Sequence, residues 1–460
     1  MEKPSGSPQD DIQGEACPMT TAAPHVQTVL EQGAGLIDHH DGAVSPGELA
    51  VGVIIGRTSE FFDFFVYAIA SVVVFPKLVF PDQDPLSATL WSFAIFALAF
   101  IARPFGSLIF MTIDRRYGRS LKLTIALFLL GGSTASVAFL PGAAAVGVWS
   151  IVMLSLCRVG QGLALGGAWD GLASLLAVNA PASRRGWYAM VPQLGAPLGL
   201  IMASGLFAFF AASLSAEDFL DWGWRYPFCM AFAINVVALF ARLRIVTTPA
   251  YAKLFLSREL QPSPVIATLR AEGRVIAVGA FAPLASFALF HMVTVFPLSW
   301  VFLFTHEPPA RFLVIEIIGA VVGVPAIVAS GVIADRVGRR VLLTLCAAGI
   351  AAFSGFAPQL LAAGDAGEII FMVVGFALLG LSFGQSSGAI NSNFQGIYRY
   401  TGAALTSDLA WLFGAGFAPL VALALSIHFG LLAAGAYLLS GALATLVALG
   451  INKELADKMG

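Results

Sequence analysis

Long apolar runs recur twelve times along this chain of 460 residues, and no other feature constrains its fold as strongly. After a first run at about 49–74 they fall near 86–111, 120–140, 147–177, 185–213, 224–244, 275–304, 311–334, 340–363, 367–391, 401–427 and 429–451. Each can cross roughly 30 Å of hydrocarbon as a helix of about 20 residues. Charged residues make up 11% of the chain, against roughly 25% in a soluble domain, so most of it cannot face water. The expected fold is an all-α integral membrane protein with twelve transmembrane helices. Breakers punctuate the runs at Phe80-Pro81-Asp82, Pro141-Gly142 and Pro308-Pro309.

Cations order these helices across the membrane. With the N-terminus inside, Arg115, Arg116, Arg119, Lys122, Arg184, Arg185, Arg242, Arg244, Lys253, Arg258, Arg270, Arg274, Arg336, Arg339, Arg340, Arg399, Lys453 and Lys458 collect on the cytoplasmic side. Only Lys77, Arg225 and Arg311 are left for the outer loops. Such a bias sets orientation and predicts that both termini are cytoplasmic, in the inner (plasma) membrane. Residues 1–46 are polar, acidic and without a signal-peptide core, and read as a disordered cytoplasmic tail. Ile113-Asp114-Arg115-Arg116-Tyr117-Gly118-Arg119 after the second run is repeated as Ala334-Asp335-Arg336-Val337-Gly338-Arg339-Arg340 after the eighth. The repeat divides the chain into six-helix bundles at 47–244 and 274–452, a linker at 245–273 and a short tail at 453–460.

The first run is the chemically unusual one. Gly56-Arg57-Thr58-Ser59-Glu60-Phe61-Phe62-Asp63-Phe64-Phe65-Val66-Tyr67 sets three charges and Tyr67 within one third of a helix circumference. A charge at bilayer depth costs about 2.5–3.5 kcal/mol on insertion scales, unless it faces protein, water or a counter-charge. This face therefore predicts a polar pathway, although an Arg57–Glu60 pair one turn apart could also neutralise itself. Asp63 would then lack a partner. The four cysteines are scattered without metal spacing, and the net charge of -2 does not suggest nucleic-acid binding. No nucleophile–base pair, metal cluster or phosphate loop marks an enzyme, and no cofactor is expected.

The string from Gly331 to Arg340 resembles the signature loop of the major facilitator superfamily. Four further stretches resemble its metabolite:proton symporter family. They are Glu60-Phe61-Phe62-Asp63-Phe64, Arg103-Pro104-Phe105-Gly106, Arg158 with Gln161-Gly162 and Gly166-Gly167, and Asp221-Trp222-Gly223-Trp224-Arg225-Tyr226-Pro227-Phe228. Arg399-Tyr400-Thr401-Gly402 fits as well, so the resemblance runs from about residue 50 to 450. It implies the major facilitator fold and carriage of small organic acids or of osmolytes such as proline and betaine. It also implies that the signature loops latch the two halves together, through Asp114, Arg115, Gly118 and Arg119 in the first half. Asp335, Arg336, Gly338 and Arg339 take that part in the second. An Asp beyond a helix end can also accept from the free N–H groups of a neighbouring helix. The chain departs from the family where Phe110 and Ile113 replace glycines, which predicts that the first latch is looser or differently packed than the second. Asp170 stands two positions from the family's helix 4 acid, and Thr247 replaces another Glu.

Arg158 lies mid-depth in the fourth run, with Gln161 and Trp169 along the same stripe. It can bind a carboxylate bidentately or pair with an acid of the first helix. With Arg57, Tyr67, Gln161, Trp169, His291, Gln385 and Asn391 it forms the expected substrate-binding set. Phe64 and Trp411 are further pocket candidates, most of the other aromatics being assigned to lipid or packing. Asp63 and Glu60 are the expected proton-coupling groups. Of the single carboxylates, Glu316 is expected to be hydrated near the outer end, and Asp408 to cap contacts near the inner end. These parts predict a proton-coupled symporter importing a mono- or dicarboxylate by alternating access, as a monomer. The alternatives are a zwitterion symporter, which the short tail after Ile451 weakens, and a drug or metabolite antiporter. The antiporter rests on Gly195-Ala196-Pro197-Leu198-Gly199, which partly resembles a facilitator antiporter motif. A receptor without transport is the remaining alternative.

Overall fold

The computed structural model describes residues 46–168, 176, 180–246, 261–305, 307–391, 394 and 396–451. Trp169, Asp170, both terminal tails and residues 247–260 of the linker, Thr247 among them, lie outside the described residues. Twelve helical passes follow one another. The first half holds α1 (Pro46–Val73), α2 (Pro85–Tyr117), α3 (Arg119–Ala138), α4 (Trp149–Gly167), α5 (Arg185–Ser213) and α6 (Arg225–Val246). The second holds α7 (Leu284–Phe304), α8 (Pro309–Val337), α9 (Arg339–Ser354), α10 (Asp365–Phe383), α11 (Arg399–Phe429) and α12 (Ala434–Ile451). Among the described residues, ten helices are long and apolar enough to cross a membrane. α1 and α9 are outside those ten: α1 carries three charges at mid-length, and α9 is 16 residues long. A separate helix, Val265–Phe281, leads into α7 and starts within the stretch read as linker. Pro283 interrupts the path between them.

The halves repeat one packing scheme. α2 lies on α4 and α3 on α6, as α8 lies on α10 and α9 on α12. The halves meet through α5 against α8, α2 against α11, and α1 against the end of α7. Close approach of α2 and α4 needs glycine: a Cβ added at Gly162 would fall 2.7 Å from Ala99 Cα. Of the two outcomes expected at Phe110, the packing is different and not looser. Its buried ring lies where a Cβ on Gly167 would be, 2.6 Å from Phe110 Cδ2, so the bulk lost on α4 makes room for the bulk gained on α2.

The two signature loops share a backbone. Gly118 closes α2 and opens α3 at φ 88°, and Gly338 does the same between α8 and α9 at φ 89°. Side chains rarely adopt that conformation. The carboxylates beside these turns diverge. Asp335 accepts from the backbone N–H groups of Gly186 (2.6 Å) and Trp187 (3.1 Å), at the start of α5 in the other half. Asp114 instead accepts from the side chains of Arg119 (3.2 Å) and Tyr400 (3.5 Å), with Lys122 Nζ at 3.6 Å. Lys122 also donates to Tyr400 of α11. Several cations read as loop charges are therefore interior: Lys122 and Arg242 are each 1% exposed. Their carboxylate and hydroxyl partners come from other helices, Asp114 and Tyr400 for Lys122 and Glu60 for Arg242. Arg115, Arg116 and Arg336 are exposed at the same end.

Candidate functional site

The polar face of α1 turns inward, and its two carboxylates meet different surroundings. Glu60 lies between two guanidinium groups, pairing with Arg57 at 2.5 Å and with Arg242 of α6. Arg57 also stacks over Phe61, 5.0 Å from the ring centre. Arg242 donates to the Ala168 carbonyl at 3.2 Å. It reaches Glu60 across Gly56, where a Cβ would come 3.1 Å from its Cζ.

One turn on, Asp63 has no cation within 4.0 Å among the described residues. Its Oδ2 accepts from Asn235 of α6 at 2.5 Å and from Thr134 of α3 at 3.5 Å, while buried Oδ1 has no partner. Asn235 also accepts from Ser59 at 2.7 Å. Gln161 Nε2 donates to Thr134 at 2.9 Å, and Arg158 Nη1 donates to Gln161 Oε1 at 3.0 Å. Asp63 and Arg158 are thus joined through a line of donors that all point from the cation towards the carboxylate. Such aligned dipoles reinforce one another where the dielectric is low.

Arg158 is 1% exposed and has no carboxylate within 4.0 Å among the described residues. Its Nε donates to the Phe96 carbonyl at 3.0 Å, and Nη2 has no partner. Its guanidinium carbon lies 4.1 Å from the Tyr67 ring centre and 4.6 Å from that of Phe96. The Tyr67 hydroxyl is buried and unpartnered as well. From the second half, His291 stacks on Phe64 with centroids 5.3 Å apart. Its Nδ1 lies 2.6 Å from the carbonyl of Ala415, within the widened turn of α11 at Trp411–Gly416. A carbonyl only accepts, so Nδ1 carries the proton and unpartnered Nε2 presents a lone pair when the ring is neutral.

Around these groups Phe61, Phe64, Phe100, Phe290, Phe383 and Trp411 form an aromatic cluster that joins both halves. Of these rings, the sequence singles out Phe64 and Trp411 as pocket candidates. All six converge because α1, α2, α7, α10 and α11 each turn an aromatic edge towards the same axis, and sequence spacing within one helix does not reveal that. An apolar cavity lined by Phe65, Leu200, Phe290, Phe376 and Phe383 adjoins the cluster.

Asp63, Arg158, Gln161, Tyr67 and His291 are brought together at the centre, with Glu60 and Arg57 one turn away. Gln385 is placed elsewhere: it accepts from Arg339 at 3.2 Å and donates to the Gly186 carbonyl at 3.1 Å, beside the Asp335 loop. Arg339 also donates to Gly388 O at 3.0 Å. Trp169 and the side chain of Asn391 fall outside the described residues. Glu316 is not hydrated as expected, being 0% exposed between α8 and α5. Asp408 pairs with Arg103 of α2 at 2.8 Å and accepts from Ser107 at 2.5 Å. Sequence reasoning missed Asn235, Thr134 and the inward role of Arg242. The available signal was a pair of polar residues two turns apart on the sixth run, Asn235 and Arg242 being seven positions apart on one helix face.

Comparison with known proteins gives one consistent picture. A family profile described as "Sugar (and other) transporter" matches residues 49–276. The inner membrane metabolite transport protein YhjE of Escherichia coli is 37% identical over 422 residues, which is 89% of this chain and 94% of that protein. The shikimate transporter of Escherichia coli is 30% identical over 83% of this chain and 88% of its own length. A proline/betaine transporter of Salmonella typhimurium is 31% identical over 43% of this chain and 39% of its own. In structure, the chain is similar to a D-xylose-proton symporter with TM-score 0.67 and 19% identity, over 88% of this chain and 97% of that one.

Proposed function

The chain belongs to the major facilitator superfamily of membrane transporters, and from that premise we propose a proton-coupled symporter that imports a small organic anion, a mono- or dicarboxylate, by alternating access. It is a multi-pass membrane carrier of small molecules and not an enzyme. The observation that carries the anion reading is Arg158: a buried guanidinium with a free Nη2, next to the unpartnered Tyr67 hydroxyl. A carboxylate there would take a charge-assisted hydrogen bond from Arg158, with Tyr67 as a second donor. The shikimate transporter among the relatives, whose substrate is a carboxylate, supports the same class.

Asp63 would carry the proton. When it is charged, the donor line through Thr134 and Gln161 points at it and holds Arg158 towards Gln161. When it is neutral, that polarisation is lost and Arg158 can turn its full charge to the substrate. Proton and anion then favour each other's binding, and coupling is the affinity difference between the two states. Bundles at 47–244 and 274–452 would rock about this centre, joined by the linker at 245–273. The end that carries both signature loops would face the cytoplasm, where the loop cations belong.

Purified protein in proteoliposomes under an imposed pH gradient tests this, with mono- and dicarboxylates and betaines as substrates. Gradient-driven carboxylate accumulation that is lost in Asp63→Asn, with exchange retained, is the expected result. Equal accumulation by that variant removes Asp63 from the coupling. The aromatic cluster favours a second reading, a zwitterion such as a betaine, because ring faces hold quaternary ammonium groups. Accumulation of betaines in preference to carboxylates would select it.

A further inference from the structure

The two halves touch through polar side chains on both sides of the aromatic cluster, and the two contacts differ in charge. On the side of the signature loops, Asp408 of α11 meets the cation Arg103 and the hydroxyl of Ser107, both from α2. On the opposite side the pseudo-equivalent helices, α5 and α8, meet through Glu316. Its Oε2 accepts from Ser204 Oγ at 2.8 Å. Its Oε1 is buried with no partner, and no cation lies within 4.0 Å among the described residues.

We propose that Glu316 is a second proton-binding site, separate from the central one, and that its protonation is what allows α5 and α8 to close against each other. The reason is the environment. A carboxylate sealed from water with one neutral donor is strongly unfavourable, whereas the neutral acid carries no charge to strip of its hydration. When the halves part here, water reaches the group and the charged form becomes tolerable. Closure of this side therefore takes up a proton, and opening releases one.

Neighbouring charges do not relieve the site. α5 contributes no titratable side chain along Gly195–Ser213. The piece of α7 that packs against α8, Phe296–Phe304, contributes none either. From α10, Asp365 and Glu368 are both engaged with Arg311, which also pairs with Glu307. Arg311 is five positions before Glu316 on α8, so the two side chains leave the helix on different faces. His291 of α7 sits in the aromatic cluster against Phe64 and Ala415. Arg185, Tyr188, Asp335, Arg336, Arg339 and Arg340 lie at the far end of α8, which is 29 residues long.

The test reads closure directly and needs no substrate, so it stands or falls apart from the carboxylate reading. Spin labels at Ser213→Cys on α5 and Ala310→Cys on α8, in a chain whose native cysteines are replaced, report their separation by pulsed electron resonance in lipid. In the otherwise unaltered chain the short distance should dominate at acidic pH and give way to a longer one as pH rises. Glu316→Gln, neutral and nearly isosteric, should hold the short distance at every pH. Ser204→Ala removes the one donor to the carboxylate and should move the midpoint to more alkaline pH. No pH response in the parent chain, an unchanged response in Glu316→Gln, or an unmoved midpoint in Ser204→Ala would each overturn the proposal. Asp63→Asn should leave the response in place, and its loss there would assign the proton to the central site instead.

Discussion

The charges facing the basic end and those at mid-depth obey different rules. Towards the signature loops, three of the anions have cations: Asp114 has Arg119 and Lys122, Asp408 has Arg103, and Glu60 has Arg57 and Arg242, while Asp335 takes backbone N–H groups of Gly186 and Trp187. At the centre and beyond it, Asp63 and Arg158 are joined only through neutral side chains, and Glu316 has only Ser204. A buried ion pair is costly to break, so it suits a contact that holds a shape. A buried charge with neutral partners is easier to neutralise or to hand to a ligand. On the proposed mechanism the difference separates a scaffold from a working layer, although Glu60 and Asp63 are less than one turn apart on one helix.

Substitutions can break or sharpen that division. The largest effect is expected from Glu60→Gln, which leaves two interior guanidinium groups without their carboxylate. Removing one partner of a buried pair costs about 3–5 kcal/mol, and thermal unfolding in detergent should show a clear fall in Tm. If Glu60→Gln unfolds like the parent chain, the pair is not scaffold. Arg158→Ala comes next, with loss of a charge-assisted bond to the substrate worth about 1.5–3 kcal/mol. That corresponds to roughly 10–150-fold weaker binding, measurable by titration calorimetry, while Tm falls far less than for Glu60→Gln. Asp63→Asn should change stability by no more than about 1 kcal/mol, since only neutral hydrogen bonds are exchanged. A destabilisation as large as that of Glu60→Gln would reveal a hidden counter-charge and erase the distinction.

Asp84 offers the smallest and most local comparison, a carboxylate outside the membrane that caps α2. The backbone N–H of Ser87 donates to it at 2.9 Å and, with the Ser87 hydroxyl, holds its carboxyl below the usual range. The cap therefore adds stability above the ordinary Asp value, and this is lost as pH falls through the lowered one. Asp84→Ala should lower Tm slightly at neutral pH and not at strongly acidic pH. An equal decrement at both would show that its charge plays no part.

Much of the architecture was legible because hydrophobic length is a local property. The runs, the repeated loops around Asp114 and Asp335, and the inward face of α1 all follow from spacing along single helices. Arg242 shows where this fails. Its position four residues from the end of α6 marks it as a loop cation, yet Glu60, 182 positions away, draws it inward. The aromatic cluster was hidden for the same reason. Phe100, Phe290 and Phe383 look like ordinary packing residues until their helices are assembled.

The sequence by itself determined that the chain spans a membrane in two related halves, and that Asp63 and Arg158 sit at depth. Burial in lipid makes every such charge costly, and the cost can be read one helix at a time. Only the tertiary structure decided which charges are cancelled. It gave Glu60 two guanidinium groups, gave Asp63 an amide and a hydroxyl, and left Glu316 with a single serine across the seam between the halves. A counter-charge acts through a few ångströms of space, and the chain brings such partners from positions 182 residues apart for Glu60 and Arg242 and 305 apart for Arg103 and Asp408.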